Sequence, residues 1–95
     1  MKCNTYHIFF RNLANELKIE IITALKEKPL SVTELSKKLK IEQSNLSHAL
    51  ASLSHCNIVQ VEQQGKKRIY SLNKETIVPM LKLIDKHKCK YCPGK

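Results

Sequence analysis

Ser31 to Val59, SVTELSKKLKIEQSNLSHALASLSHCNIV, constrains the fold more than any other stretch of the chain. Ser31 and Glu34 have the S-x-x-E spacing of a capping box, in which each side chain satisfies a backbone N–H that a helix start would leave without a partner. Val32, Leu35 and Leu39 then recur at helical spacing, and Lys40-Ile41 breaks the pattern. A second apolar stripe follows at Leu46, Ala49, Leu50 and Leu53. The other face of that second segment carries Gln43, Ser44, Asn45, Ser47 and His48. These short polar side chains can donate and accept hydrogen bonds at base edges in a major groove. The pattern predicts a helix-turn-helix whose second helix does the reading.

The flanks extend this unit. Ile8, Phe9, Phe10 and Leu13 predict a first helix over Tyr6 to Leu13, and Leu17, Ile21, Ile22 and Leu25 continue at helical spacing in a second. Lys28-Pro29 ends it, because the residue before proline is pushed out of the helical region. After the reading helix, Asn57 suits a left-handed helix end. Ile58–Glu62 and Arg68–Leu72 then read as two strands joined by a loop, Gln63–Lys67, that contains Gly65. Lys66, Lys67 and Arg68 cluster at the tip, where they would reach a phosphate backbone or the adjacent minor groove. The competing reading is a charged loop that keeps the hairpin edge from pairing with another chain. A last helix holds Ile77, Met80, Leu81, Leu83, Ile84 and His87 on one side, and it starts near Thr76 so that Pro79 falls in the harmless first turn. The expected class is mainly α with a small β-hairpin, a winged helix-turn-helix of about five helices and a two-stranded wing. Residues 1–95 are read as a single such domain, with terminal dimerisation helices and a cysteine-containing tail.

Charge narrows the partner. Seventeen Lys and Arg against eight Asp and Glu leave a net charge of +9 on 95 residues. A polyanion, and double-stranded DNA first, is the expected partner; solubility charge without a partner is the alternative. No segment approaches the roughly 20 continuous apolar residues of a membrane span. Met1–Asn15 has polar residues throughout and no small-residue cleavage site, so a cytoplasmic protein is expected. With Gly65 and Gly94 the only glycines, no glycine-rich phosphate loop can form, and no Ser-His-Asp or paired-carboxylate arrangement stands out. An enzyme is not expected.

The predicted core comprises Ile21, Leu25, Val32, Leu35, Leu39, Ile41, Leu46, Leu50, Leu53, Val61 and Tyr70. It leaves the first and last helices apolar with little to cover. At about 25 cal/mol per Å², a handful of exposed Phe, Ile and Leu side chains represents several kcal/mol. A homodimer pairing the terminal helices would bury them and set two reading helices on one face, roughly one DNA turn apart. Alternatively, both helices simply close the monomer core.

Four cysteines stand at 3, 56, 89 and 92. Without an export signal, scaffolding disulfides are not the expected use; metal binding or redox chemistry is. His87-x-Cys89-x-x-Cys92, with Cys3 brought near by the paired termini, offers ligands for Zn²⁺ or another thiophilic metal, and Lys86, Lys88 and Lys90 favour the thiolate form. A dithiol–disulfide switch and an inert tail are the competing readings. Cys56 is expected to pack as a small hydrophobe.

LANELKIEIITAL, VTELSKKL, SNLSHALASLSHCNIV with its Ser47-His48 pair, and GKKRIYSL together cover most of Phe9 to His87. Over that span the chain resembles the ArsR/SmtB family of small winged-helix repressors. The resemblance implies a homodimer that binds operator DNA and is released by a metal ion or by thiol chemistry. It also exposes departures. The family's arsenic-type sensors carry cysteines at the start of the third helix, where Ser31 and Thr33 stand here. Asp85-Lys86-His87 matches the opening ligand pair of the zinc-type sensors, but the partner ligands would fall beyond Lys95. The expected function is a homodimeric, sequence-specific transcriptional regulator, read as a repressor and controlled by metal or thiol state through the C-terminal CxxC. Its rival is a winged-helix adaptor for other proteins, with a structural zinc site and no operator.

Overall fold

The structure, a computed structural model, describes residues 6–91, with side chains through His87. Among the described residues, the order of elements is α1 (Tyr6–Leu13), α2 (Glu16–Glu27), β1 (Leu30–Ser31), α3 (Val32–Leu39), α4 (Gln43–His55), β2 (Val59–Gln64), β3 (Lys67–Leu72) and α5 (Ile77–Tyr91). Each boundary has a local cause. The Asn15 side chain caps α2 by accepting from the Lys18 N–H at 3.1 Å. At α3 the capping box forms in full: the Glu34 N–H donates to the Ser31 hydroxyl at 3.2 Å, and the Ser31 N–H donates to the Glu34 carboxylate at 2.9 Å. Lys40 takes the left-handed conformation that closes α3, with φ 59°. Asn57 does the same after α4, with φ 58°. Pro79 is the third residue of α5, where its missing N–H costs no helical bond.

The strands form one antiparallel sheet in the order β1-β3-β2: the expected two-stranded wing, β2 and β3, with a short third strand, β1, added to it. β1 escaped the sequence pattern because it is two residues long, too short for alternation to show. Ser31 serves twice: a helix-capping residue has extended backbone angles, here φ −84° and ψ 169°, so it pairs with Ile69 while capping α3. The hairpin is also tighter than the loop predicted over Gln63–Lys67. Gln63 pairs with Arg68 and Gln64 with Lys67, which leaves Gly65 and Lys66 as the turn. Gly65 supplies φ +63° in the first turn position, as a two-residue hairpin requires.

α2, α3 and α4 pack around the sheet, and Ile21, Leu35, Leu46, Leu50, Leu53, Ile58 and Val59 are sealed from solvent. Val32, Leu39 and Ile41 border this core rather than fill it. Val61 is a correction: it is 46% exposed, because β2 is the edge strand and carries Val61 past the end of the core, whereas Tyr70 opposite it lies on the central strand and is buried. Asn73 ties three elements together from a buried position. Its side-chain amide donates to the Asn57 carbonyl at 2.9 Å, its N–H donates to the Ile58 carbonyl at 3.0 Å, and its carbonyl accepts from Ile77 at the start of α5 at 3.1 Å.

The terminal helices divide between the two expectations. Ile77 enters the core, and Phe9, Leu13, Val78, Met80 and Leu81 pack against it. Tyr6, Phe10, Leu83 and Ile84 stay exposed, Leu83 to 67%.

The Ser31 N–H holds the Glu34 carboxyl below its ordinary range, helped by the Ser31 hydroxyl and by the charges of Lys67 and Lys28, against a smaller cost of desolvation. A depressed carboxyl contributes stability above its ordinary range and loses it as pH falls through the lowered value. Ser31→Ala is expected to cost about 1 kcal/mol in urea unfolding at neutral pH with an unchanged denaturant slope. Glu34→Gln is expected to flatten the acid limb of the stability profile, which a series of unfolding curves from neutral to acid pH measures.

Candidate nucleic-acid interface

α4 presents two opposed faces. Leu46, Ala49, Leu50 and Leu53 are buried against the core, and Gln43, Ser44, Asn45, Ser47 and His48 are all exposed. At about 100° per residue, Ser44 and His48 lie opposite the buried stripe, and Gln43, Asn45 and Ser47 flank it. Ala51 is exposed in the same arc. The apolar pattern concealed it, since alanine suits either face, yet a methyl group there can meet a thymine methyl. Glu42 precedes the helix without a side-chain cap, and no acid follows in the first turn. The first N–H groups therefore lack a side-chain acceptor from Glu42, whose exposed carboxylate stands beside the positive end of the helix dipole.

Lys66, Lys67 and Arg68 are exposed at the hairpin turn and the start of β3. They line a cleft of 230 Å³ together with Ser31, Val32 and Thr33 at the start of α3. The sites read from the sequence thus fall into two groups, one on α4 and one where the wing meets α3. Thr33 joins the second group, and only the third strand, by placing β1 beside β3, reveals it.

The family profile described as bacterial regulatory protein, arsR family, matches residues 15–61. The chain is also 30% identical over 82 residues to the transcriptional activator HlyU of Vibrio cholerae, covering 86% of this chain and 76% of that protein. The chain belongs to the ArsR family. Proteins of this ArsR group are DNA-binding transcription regulators, not enzymes. Among solved structures, Rv0081 of Mycobacterium tuberculosis is 31% identical and superposes with a TM-score of 0.81 over 90% of this chain and 86% of that one. A second neighbour, Mb0332 of Mycobacterium bovis, shares the fold at 16% identity with a TM-score of 0.81 over 90% of this chain and 79% of that one; it is described as a homodimeric winged helix-turn-helix DNA-binding domain.

Behind the reading face, this ArsR chain has a polar network with no signal in the sequence. Asn12 of α1, Lys18 of α2 and Ser52 of α4 each look like an ordinary surface residue, and only the packing brings them together. The Lys18 ammonium donates to the Asn12 side-chain oxygen and, at 3.0 Å, to the Ser52 hydroxyl, which itself donates to Asn12 at 2.9 Å. The Asn12 amide then donates to the Ser52 carbonyl at 3.3 Å and to the Cys56 sulfur at 3.1 Å. α1 is therefore hydrogen-bonded to the last turn of α4.

Cys56 does more than pack. It borders the core as expected, but its sulfur is in a disulfide. As the cap of α4 it stands at the rim between α1 and α5, half-buried beside Phe9 and Met80, instead of among the sealed leucines. Of the metal ligands read from the sequence, His87 is exposed on α5. Cys3 and Cys92 lie outside the described residues, and Cys89 lies within α5 with its side chain outside them. Among the described residues no three His, Cys, Asp or Glu side chains converge on one point. Before reductant is added, Cys56 is expected to resist alkylation by iodoacetamide. Peptide mapping by mass spectrometry checks this, and labelling of Cys56 without reductant would contradict it.

Proposed function

We propose that the chain is a homodimeric repressor that binds a specific operator in the cytoplasm. The observation that carries this reading is α4, with one face sealed by the core and the other displaying five hydrogen-bonding side chains and an uncapped N-terminus. Gln43, Ser44, Asn45, Ser47 and His48 meet base edges, and Lys66, Lys67 and Arg68 grip the flanking phosphates. The exposed side chains of Tyr6, Phe10, Leu83 and Ile84 pair α1 and α5 with those of a second copy. Burying them contributes several kcal/mol at about 25 cal/mol per Å². A two-fold dimer of this kind spaces its reading helices for a pseudo-palindromic site and occludes the promoter it covers.

Sulfur chemistry is the proposed control. Cys3, His87, Cys89 and Cys92 form the set that would take Zn²⁺ or another thiophilic metal, and thiol oxidation competes with metal for the same sulfurs. The disulfide at Cys56 favours oxidation, because Cys56 caps the reading helix and accepts a hydrogen bond from α1.

Lys67→Ala is expected to weaken binding to cognate and random duplexes alike and to lower the salt slope by about one unit. Asn45→Ala or Gln43→Ala should cost about 1–3 kcal/mol on the cognate site alone. Equal losses on both duplexes would remove these two residues as base readers. A random-site selection that enriches nothing would favour the adaptor reading. Operator titrations in oxidant, reductant, Zn²⁺ and chelator test control, and the expected result is at least a tenfold difference between oxidised and reduced protein; one affinity in all four conditions would refute it.

A further inference from the structure

A cavity of 430 Å³ opens between α2, the end of β3 and the side of α5 that holds Val78 and Lys82. None of its lining residues belongs to α4 or to the hairpin turn. Its floor is apolar: Leu25 and Leu72 come from the core, and Val78 and Leu81 reach in from α5. Its rim is cationic. Lys28, Lys74 and Lys82 are exposed around the opening and make no ion pair among the described residues. The other two charged lining residues are matched elsewhere, Lys26 by Asp85 at 2.9 Å and Glu27 by Lys38 at 3.3 Å.

We propose that this cavity is a binding site for a small amphipathic carboxylate, an apolar tail on the leucine floor and its charge at the lysine rim. Each half of the site excludes a different alternative. An inorganic anion gains nothing from the floor, and a cationic amphiphile meets three ammonium groups. The volume lies within the range of small-molecule sites, which bury most of the ligand's surface and fix it with a few polar groups. At about 100° per residue Leu83 lies some 140° around α5 from Val78, whereas Ile84 lies about 60° from Leu81, so the proposed dimer face borders the opening on one side without covering the Val78 side. An occupant touches both β3, which leads to the wing, and α5. Under the DNA-binding reading above, it can therefore bias how the terminal helix sits against the hairpin.

Titration calorimetry of the full chain with octanoate, octylammonium and acetate tests the site. Octanoate is expected to bind saturably, one per chain, with octylammonium showing no saturable binding and acetate at least tenfold weaker. Lys74→Glu/Lys82→Glu, both exposed, should weaken octanoate at least tenfold while leaving the circular dichroism and thermal unfolding unchanged. Equal binding of octanoate and octylammonium, or octanoate binding unaffected by the double variant, would overturn the proposal. This arm needs no DNA, so its result is independent of whether the chain reads an operator. A second arm measures operator affinity with and without saturating octanoate: a shift in the wild type that the double variant lacks supports the link to the wing, and no shift removes that link.

Discussion

The burial of Leu46, Leu50 and Leu53 against Ile21 and Leu35 is the contact on which the rest of the structure depends. Three side chains of one helix, each sealed from water, fix the rotation of α4 about its own axis. A turn of that helix by one residue, about 100°, would carry a leucine to the surface and a serine or histidine into the core. Each exposed leucine would cost roughly 1.5–3 kcal/mol, and each buried hydroxyl without a partner about as much again. The display of Ser44, Ser47 and His48 is thus the unavoidable complement of the packing, with no separate device needed to aim them.

That coupling explains what was legible in the sequence. The helical stripes, the Ser31–Glu34 box, the break at Lys40 and the left-handed Asn57 are local, and local chemistry prints itself at fixed spacings. The polar face of α4 could be read because its apolar face could. Elements that depend on a distant partner could not. β1 is two residues long and exists only because β3 lies beside it. The exposure of Val61 follows from its place on the edge strand, which a β-branched residue in an alternating run does not reveal. Asn12, Lys18 and Ser52 are separated by up to 40 residues, and no pattern within one helix says that they share hydrogen bonds.

The terminal helices show the same limit from the other side. Their apolar content was plain, but its division was not. Ile77 is drawn inward because Asn73, held by Asn57 and Ile58, seats the first turn of α5 over the end of the reading helix. Farther along α5, Leu83 and Ile84 are left exposed by the elements of the described residues. A helix anchored at its start and uncovered farther on is a natural place for a second copy to dock, since the anchor fixes where the free face points.

Anchoring also determines what can regulate the molecule. The reading helix is gripped at its C-terminal end by two neighbours, α1 through Asn12 and α5 through Asn73. Both neighbours belong to the proposed dimer interface. Under the proposed control, a change at the Cys56 sulfur would reach α4 through hydrogen bonds rather than through the apolar core, which resists deformation. The required magnitude is small. A tenfold change in operator affinity corresponds to about 1.4 kcal/mol, comparable to one or two such hydrogen bonds, so loss or gain at the Asn12–Ser52–Cys56 cluster alone is of the right size. Under the proposed control, polar contacts at the end of α4 would change without unpacking the leucines that fix the rotation of the helix.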